Sequence, residues 1–252
     1  MDKGEIFLKK EVIVTGATGG LGKFIVKKAI EENDISHVYC EYRNQEKFEN
    51  IFSGSTSKII QVSSLYRPMY KYSSLVEGLC KNKPKELVCI LTSFTIEPIE
   101  KIGFFNDEDI RKNIHTNIEN SILLLNKLIM FNKLNGGNLR LINIDSGAAY
   151  KAIKGWSLYC SAKAYINMFL KTLCLEYPEV KAVTYDPGVM DTKMQEIIRA
   201  CDKDKFERVD EFQNYFNQGS LNHPEDVAND IWNRFVEGWT AGSFEARYSD
   251  TE

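Results

Sequence analysis

The sequence predicts an α/β fold, a single doubly wound domain with a parallel sheet and helices on both faces. Short β-branched apolar runs alternate with segments of helical spacing along nearly the whole chain, the pattern of a parallel sheet built through helical crossovers. The runs are almost continuously apolar, as strands buried on both faces require. No Pro/Ser-rich linker and no internal repeat interrupts residues 1–252, so the chain reads as one domain.

The elements follow in order. Val12-Ile13-Val14 is the first strand, ended by Thr15-Gly16, and Leu21, Phe24, Ile25 and Ala29 then recur at helical spacing. Val38-Tyr39-Cys40 and Ile59-Ile60-Gln61-Val62 are the second and third strands, with a helix from about Tyr70 to Lys81 after them. Leu87–Leu91 is the fourth strand. Ile110, Ile114, Ile118, Ile122 and Leu125 predict one long helix over Asp107–Asn132. Leu139–Ile144 is the fifth strand, Leu158–Tyr177 a helix, and Lys181–Tyr185 the sixth strand, closed by Asp186-Pro187-Gly188. Residues 190–219 are charged and mostly helical in spacing, the expected substrate lid. A helix over Asp226–Glu237 follows the His223-Pro224 turn, and a last strand lies around Phe244–Tyr248.

Composition excludes several classes. A net charge of −3 argues against a nucleic-acid surface. No stretch approaches the roughly 18 apolar residues of a membrane span, and Met1–Glu11 lacks a signal peptide's apolar run, so a cytoplasmic location is expected. The six cysteines form no CxxC pair and only three histidines are present, so no metal site is expected.

Thr15-Gly16-Ala17-Thr18-Gly19-Gly20-Leu21-Gly22 links the first strand to the first helix. Glycines there let the backbone approach a pyrophosphate, and the helix N-terminus favours the anion. Thr15, Gly16, Thr18, Gly20, Leu21 and Gly22 are therefore candidate dinucleotide-binding residues. The second strand ends Glu41-Tyr42-Arg43. An acid at that place suits a ribose 2′-OH and an arginine a 2′-phosphate. Strand alternation would put Glu41 on the same side as Arg43, and Arg43 points to NADP(H).

Tyr159 and Lys163, four residues apart at the start of a helix, share one face. A neighbouring ammonium stabilises a phenolate and is expected to lower the tyrosine's pKa. Ser146, ending the fifth strand, is placed to hydrogen-bond a substrate carbonyl.

With these residues the chain resembles the short-chain dehydrogenase/reductase family, whose domain is of the Rossmann type. The matching positions are Thr15-Gly16-x-x-x-Gly20-x-Gly22, Asn117, Ser146, Tyr159-x-x-x-Lys163 and Pro187-Gly188-x-x-x-Thr192. The resemblance implies that Tyr159 is the general acid for carbonyl reduction and that Ser146 polarises the carbonyl. It also implies that Lys163 holds the nicotinamide ribose and that Asn117 holds a relay water. Pro187, Gly188, Val189 and Thr192 would meet the nicotinamide end. Ser146-Gly147-Ala148-Ala149, Lys154-Gly155-Trp156-Ser157 and Val189-Met190-Asp191-Thr192-x-Met194-Gln195 resemble the sepiapterin reductase and benzil reductase branch, with Trp156 a candidate pocket wall.

Three positions depart from the pattern. The family's Asn-Asn-Ala-Gly is Leu91-Thr92-Ser93-Phe94 here, so Phe94 stands in a glycine place, where it is expected to narrow the cofactor cleft or shift the loop. Ser63 and Ser64 occupy the region of the usual adenine-side aspartate, and Ala246 aligns with the pterin-anchoring aspartate. The expected function is NADPH-dependent reduction of a small carbonyl compound, a 1,2-diketone or diketone-like side chain. The alternatives are a non-catalytic NADP-binding sensor or scaffold, and a reductase of a ketoacyl or steroid substrate. The resemblance also implies a homodimer.

Overall fold

A computed structural model describes residues 10–54, 57–63, 72–242 and 244–248. Its strands are β1 (Lys10–Thr15), β2 (Ile35–Tyr42), β3 (Ile59–Ser63), β4 (Glu86–Leu91), β5 (Asn138–Ile144), β6 (Lys181–Asp186) and β7 (Glu245–Arg247). They form one seven-stranded sheet in the order β3-β2-β1-β4-β5-β6-β7, and every pairing is parallel. The order reverses beside β1, so a topological switch point lies between β1 and β4, the place where ligands of such sheets bind. Thr15 pairs with Leu91 and Ile144 with Tyr185, so the loops after β1, β4, β5 and β6 open at one edge.

The helices are α1 (Gly22–Glu31), α2 (Gln45–Phe52), α3 (Ser73–Asn82), α4 (Asp107–Ile114), α5 (Asn120–Asn135), α6 (Ser157–Glu176), α7 (Lys193–Arg199), α8 (Val209–Asn217) and α9 (Pro224–Ile231). Strand alternation divides them between two cores. Val12 and Val14 face α1 and α9, packing with Ile25, Val26, Val227 and Ile231. Ile13 faces the other side, where Leu79 of α3, Leu124 and Leu128 of α5, and Ile166 and Leu170 of α6 cover the sheet. A third apolar cluster lies above the strand ends and joins Trp156 and Tyr159 to Ile198, Phe206 and Phe212 from residues 190–219.

The helix expected over Asp107–Asn132 is interrupted. A π-turn over His115–Glu119 separates α4 from α5, a feature that often marks functional sites. The helix expected over Asp226–Glu237 likewise gives way to a π-turn at Trp232–Glu237. The sequence reading passed over α2, although its signals are present: the Asn44 side chain accepts from the Lys47 backbone N–H at 2.8 Å, and Phe48 and Phe52 are buried one turn apart. The start of the expected helix at Tyr70, and Ser64, lie outside the described residues. Among the described residues no helix is long and apolar enough to cross a membrane.

Candidate active site

The loop after β1 is shaped by its glycines. Gly16 adopts φ +62°, where side chains are strained, and Ser93 passes 3.0 Å from the place of its missing Cβ. The Gly19 N–H donates to Gly16 O at 2.7 Å and the Ala17 N–H to Glu41 O at 2.8 Å. The backbone N–H groups of Thr18, Gly20 and Leu21 meet no acceptor among the described residues. They lie at the positive end of α1, which suits a pyrophosphate. Gly20 faces Thr192, whose Cγ2 would lie 2.5 Å from a Cβ there, so this loop and the one after β6 meet as two walls.

Thr15 ties the loop after β1 to the loop after β4. Its Oγ1 accepts the backbone N–H groups of Thr92 at 3.0 Å and Ser93 at 3.2 Å, and its carbonyl accepts Thr92 Oγ1 at 2.5 Å. Its side chain is thus committed to bracing β1 against the loop after β4.

At the end of β2, Glu41 and Arg43 part company. Glu41 is buried and accepts the Tyr72 hydroxyl at 2.8 Å, whereas Arg43 is exposed and makes no ion pair or hydrogen bond among the described residues. The shared side expected from alternation fails because β2 ends at Tyr42 and Arg43 lies in the following bend. Of the two, the arginine is the one open to a ligand.

Tyr159 and Lys163 occupy successive turns at the start of α6, both buried. The Lys163 ammonium donates to Ile144 O at 2.5 Å and lies 5.6 Å from the Tyr159 ring centre. Ser146 stands near enough to the Tyr159 hydroxyl to act on its ionisation, and its Oγ accepts the Ala148 N–H at 3.2 Å. Burial raises the Tyr159 pKa; the Ser146 hydrogen bond opposes this, and Asp145 adds to it. The expected lowering by Lys163 is not among the causes of the shift, and desolvation dominates, so the phenol keeps its proton. Burial also lowers the Lys163 pKa to about 7, against the attraction of Asp145 and Asp186.

Sequence reasoning missed the polar network behind this pair. Buried Asp145 accepts Asn167 Nδ2 at 2.8 Å, and Asn167 Oδ1 accepts Thr184 Oγ1 at 2.9 Å and Asn143 Nδ2 at 3.4 Å. The other Asp145 oxygen is buried and has no hydrogen-bond partner among the described residues, which strengthens its pull on nearby cations. One signal was available: Asn167 lies four residues beyond Lys163, on the same helix face.

The Lys163 shift carries a pH prediction. Its charge is present below pH 7 and is lost as pH rises through about 7 in the free chain. For the dinucleotide-dependent reduction expected from the sequence, kcat/KM for the dinucleotide should fall on the alkaline side of that value, because this ratio reports free-enzyme pKa values. Asp145→Asn should move the fall to lower pH, since Asp145 raises the Lys163 pKa. A profile flat to about pH 9 would contradict the assignment of the limb to Lys163.

The sequence profile described as short chain dehydrogenase matches residues 10–203. The chain belongs to that family. With it the chain joins the oxidoreductases that act on CH–OH and C=O groups. A benzil reductase ((S)-benzoin forming) of Bacillus subtilis is 27% identical over 234 residues, covering 91% of this chain and 95% of the relative. The sepiapterin reductase of Bos taurus is 35% identical over 205 residues, covering 76% of this chain and 77% of that one. The KRED1-Pglu enzyme superposes with a TM-score of 0.82 at 25% identity, covering 94% of this chain and 99% of that one.

Within the short chain dehydrogenase fold, the Asn117 side chain has partners of its own. Sitting in the π-turn, it accepts the Thr95 N–H at 2.8 Å and donates to Thr95 O at 2.9 Å and Asn113 Oδ1 at 3.2 Å. Both amide hydrogens are occupied, so the side chain braces the loop after β4. Trp156 is buried, stacks on Phe206 with ring centres 4.8 Å apart, and meets Tyr159 edge-on at 5.8 Å. After β6, Gly188 takes φ +66° and donates to Asp186 Oδ1 at 3.0 Å. Asn222 ties this loop down, donating to Pro187 O at 2.9 Å from its side chain and to Val189 O at 2.8 Å from its backbone. Gly188, Val189, Tyr215, Ser220, Asn222, Arg247 and Tyr248 line a cavity of about 490 Å³ beside it. Ala246 lies in β7 opposite Tyr185.

Proposed function

We propose that this chain is an NADPH-dependent reductase of a small carbonyl compound, a 1,2-diketone or diketone-like side chain of the benzil or sepiapterin type. The observation that carries the reading is the Ser146–Tyr159–Lys163 constellation at the strand ends, half-buried at Ser146 and buried at Tyr159 and Lys163, with the Tyr159 proton held in place. The cleft suits a dinucleotide, since the unsatisfied N–H groups of Thr18, Gly20 and Leu21 face it at the α1 N-terminus. These groups, with Gly16 and Gly22 shaping the loop, would hold the pyrophosphate. Arg43 would hold the 2′-phosphate and Lys163 the nicotinamide ribose. Pro187, Gly188, Val189 and Thr192 would face the nicotinamide.

When bound, the reduced nicotinamide supplies a hydride to the carbonyl carbon. Tyr159 gives its phenolic proton to the carbonyl oxygen, and Ser146 donates a hydrogen bond to that oxygen. The Lys163 ammonium offsets the charge left on Tyr159. Residues 190–219 act as the lid in this reading, with Phe206 and Phe212 closing over Trp156. The absence of an acid at Ala246 favours a benzil-type diketone over a pterin. A homodimer is also proposed, because Ile114 of α4 and Tyr165, Met168 and Leu175 of α6 are exposed; sedimentation at twice 28.9 kDa would support it.

The test compares kcat/KM for benzil, sepiapterin and a ketoacyl thioester with NADPH and with NADH. Benzil with NADPH should lead, and Arg43→Ala should erode the preference for NADPH by about tenfold, a reasonable loss for a charge-assisted contact. Equal rates with NADH, unchanged in Arg43→Ala, would overturn the cofactor assignment. A second reading, a dinucleotide-binding sensor or scaffold without turnover, is favoured by one observation, the Phe94 ring seated on Lys163.

A further inference from the structure

The Phe94 ring centre lies 3.2 Å from the Lys163 ammonium. We infer that Phe94 is a displaceable cap on Lys163, which holds the ammonium in the free chain and must leave it when a dinucleotide ribose binds. The inference rests on the NADPH reading above and adds a resident competitor for the ammonium.

The loop is built to present this ring. The backbone at Phe94 avoids the left-handed region, so nothing there demands glycine. On one side Thr92 and Ser93 are tied to Thr15, and the Phe94 N–H donates to Thr92 O at 3.1 Å. On the other side Thr95 is clamped through both its N–H and its C=O by Asn117. The backbone is thus fixed on both flanks, and rotation about the side-chain bonds is the freedom left to residue 94. The ring packs against two clusters, the core beneath α5 and α6 and the aromatic cluster of Trp156 and Tyr159. A ring leaving Lys163 has the second cluster as its alternative apolar contact.

The ammonium has three donors. One meets Ile144 O, and a ring face covers the side toward Phe94. Asp145 and Asp186 act on Lys163 through space, yet its ammonium donates a hydrogen bond to neither among the described residues. For a buried cation so short of ligands, the negative face of an aromatic ring is a strong partner. A ribose hydroxyl accepting from this ammonium must sit roughly 2.7–3.2 Å from Nζ. The ring centre already occupies that shell, so hydroxyl and ring exclude each other on that face. Dinucleotide affinity is therefore set net of breaking the Phe94–Lys163 contact.

The experiment measures NADPH dissociation constants for the wild type, Phe94→Gly and Phe94→Leu, with ε-13C-labelled lysine spectra of each, on full-length protein. Thermal midpoints identify any variant that fails to fold; Phe94→Leu keeps the bulk and removes the π face, so it remains usable if Phe94→Gly does not fold. The wild type should show a ring-shifted Lys163 resonance that is absent from both variants and moves to an ordinary position on NADPH addition. Phe94→Gly should bind NADPH about tenfold more tightly and Phe94→Leu by an intermediate factor, the scale of one lost cation–π contact. Binding by Phe94→Gly but not by the wild type would support the cap in its strongest form. Equal or weaker binding by folded variants, or a Lys163 resonance unmoved by bound NADPH, would overturn the cap and leave the cofactor reading standing. Binding by none of the proteins would overturn the cofactor reading and the cap with it.

Discussion

Tyr159→Phe is expected to lower kcat for NADPH-dependent diketone reduction by about 10²-fold or more, the loss that follows removal of a general acid. The change deletes one hydroxyl from a buried ring whose edge packs against Trp156, so the ring itself keeps its place. In the proposed mechanism the phenol is the donor, since burial raises its pKa and holds its proton. A factor of 10² corresponds to about 2.7 kcal/mol of transition-state stabilisation. The NADPH dissociation constant should change by less than about threefold, since the phenol acts on the substrate oxygen and not on the pyrophosphate. Steady-state rates combined with equilibrium binding separate the two effects. An unchanged kcat would remove Tyr159 from the chemistry.

Gly22→Val should have a comparably large effect, this time on binding. A Cβ at Gly22 would lie 2.4 Å from Gly16 O and 2.9 Å from Thr92 Oγ1. Gly16 O cannot simply yield, because it accepts the Gly19 N–H that forms the turn, while Thr92 is held by Thr15. The loop must therefore shift, and the N–H groups of Thr18, Gly20 and Leu21 shift with it. NADPH should bind about 100-fold more weakly, as expected when several aligned anion contacts are lost together. Overpacking at this buried position should also cost about 1–3 kcal/mol of stability. Titration with NADPH and denaturant unfolding test the two parts. A Gly22→Val protein that binds NADPH like the wild type would show that this loop does not hold the pyrophosphate.

Local patterns made much of the fold legible. The strands at Val12–Val14, Leu87–Leu91 and Leu139–Ile144 are near-continuous apolar runs, and each is central in the sheet. The glycine loop and Tyr159-x-x-x-Lys163 were readable because their chemistry needs fixed spacing within one turn or one helix. The sequence hid what depends on packing between distant segments. The commitment of Thr15 to Thr92, of Asn117 to Thr95 and of Phe94 to Lys163 all arise where the loop after β4 crosses the site. The π-turn at His115–Glu119 escaped detection because its isoleucines keep a regular helical spacing through it. The pKa expectation for Tyr159 erred because spacing gives the proximity of a charge but not the burial that outweighs it.

In the proposed reaction a hydride from the nicotinamide and a proton from Tyr159 reach the same carbonyl. The most direct measurement incubates the wild type and Tyr159→Phe with benzil and NADPH deuterated at the transferring position, and follows the label into product. The wild type should give benzoin with deuterium on the carbinol carbon, and the variant at most about one hundredth of that rate. Tight NADPH binding with benzil recovered unchanged, and no labelled alcohol from a wider carbonyl panel, would contradict it and leave a dinucleotide-binding scaffold.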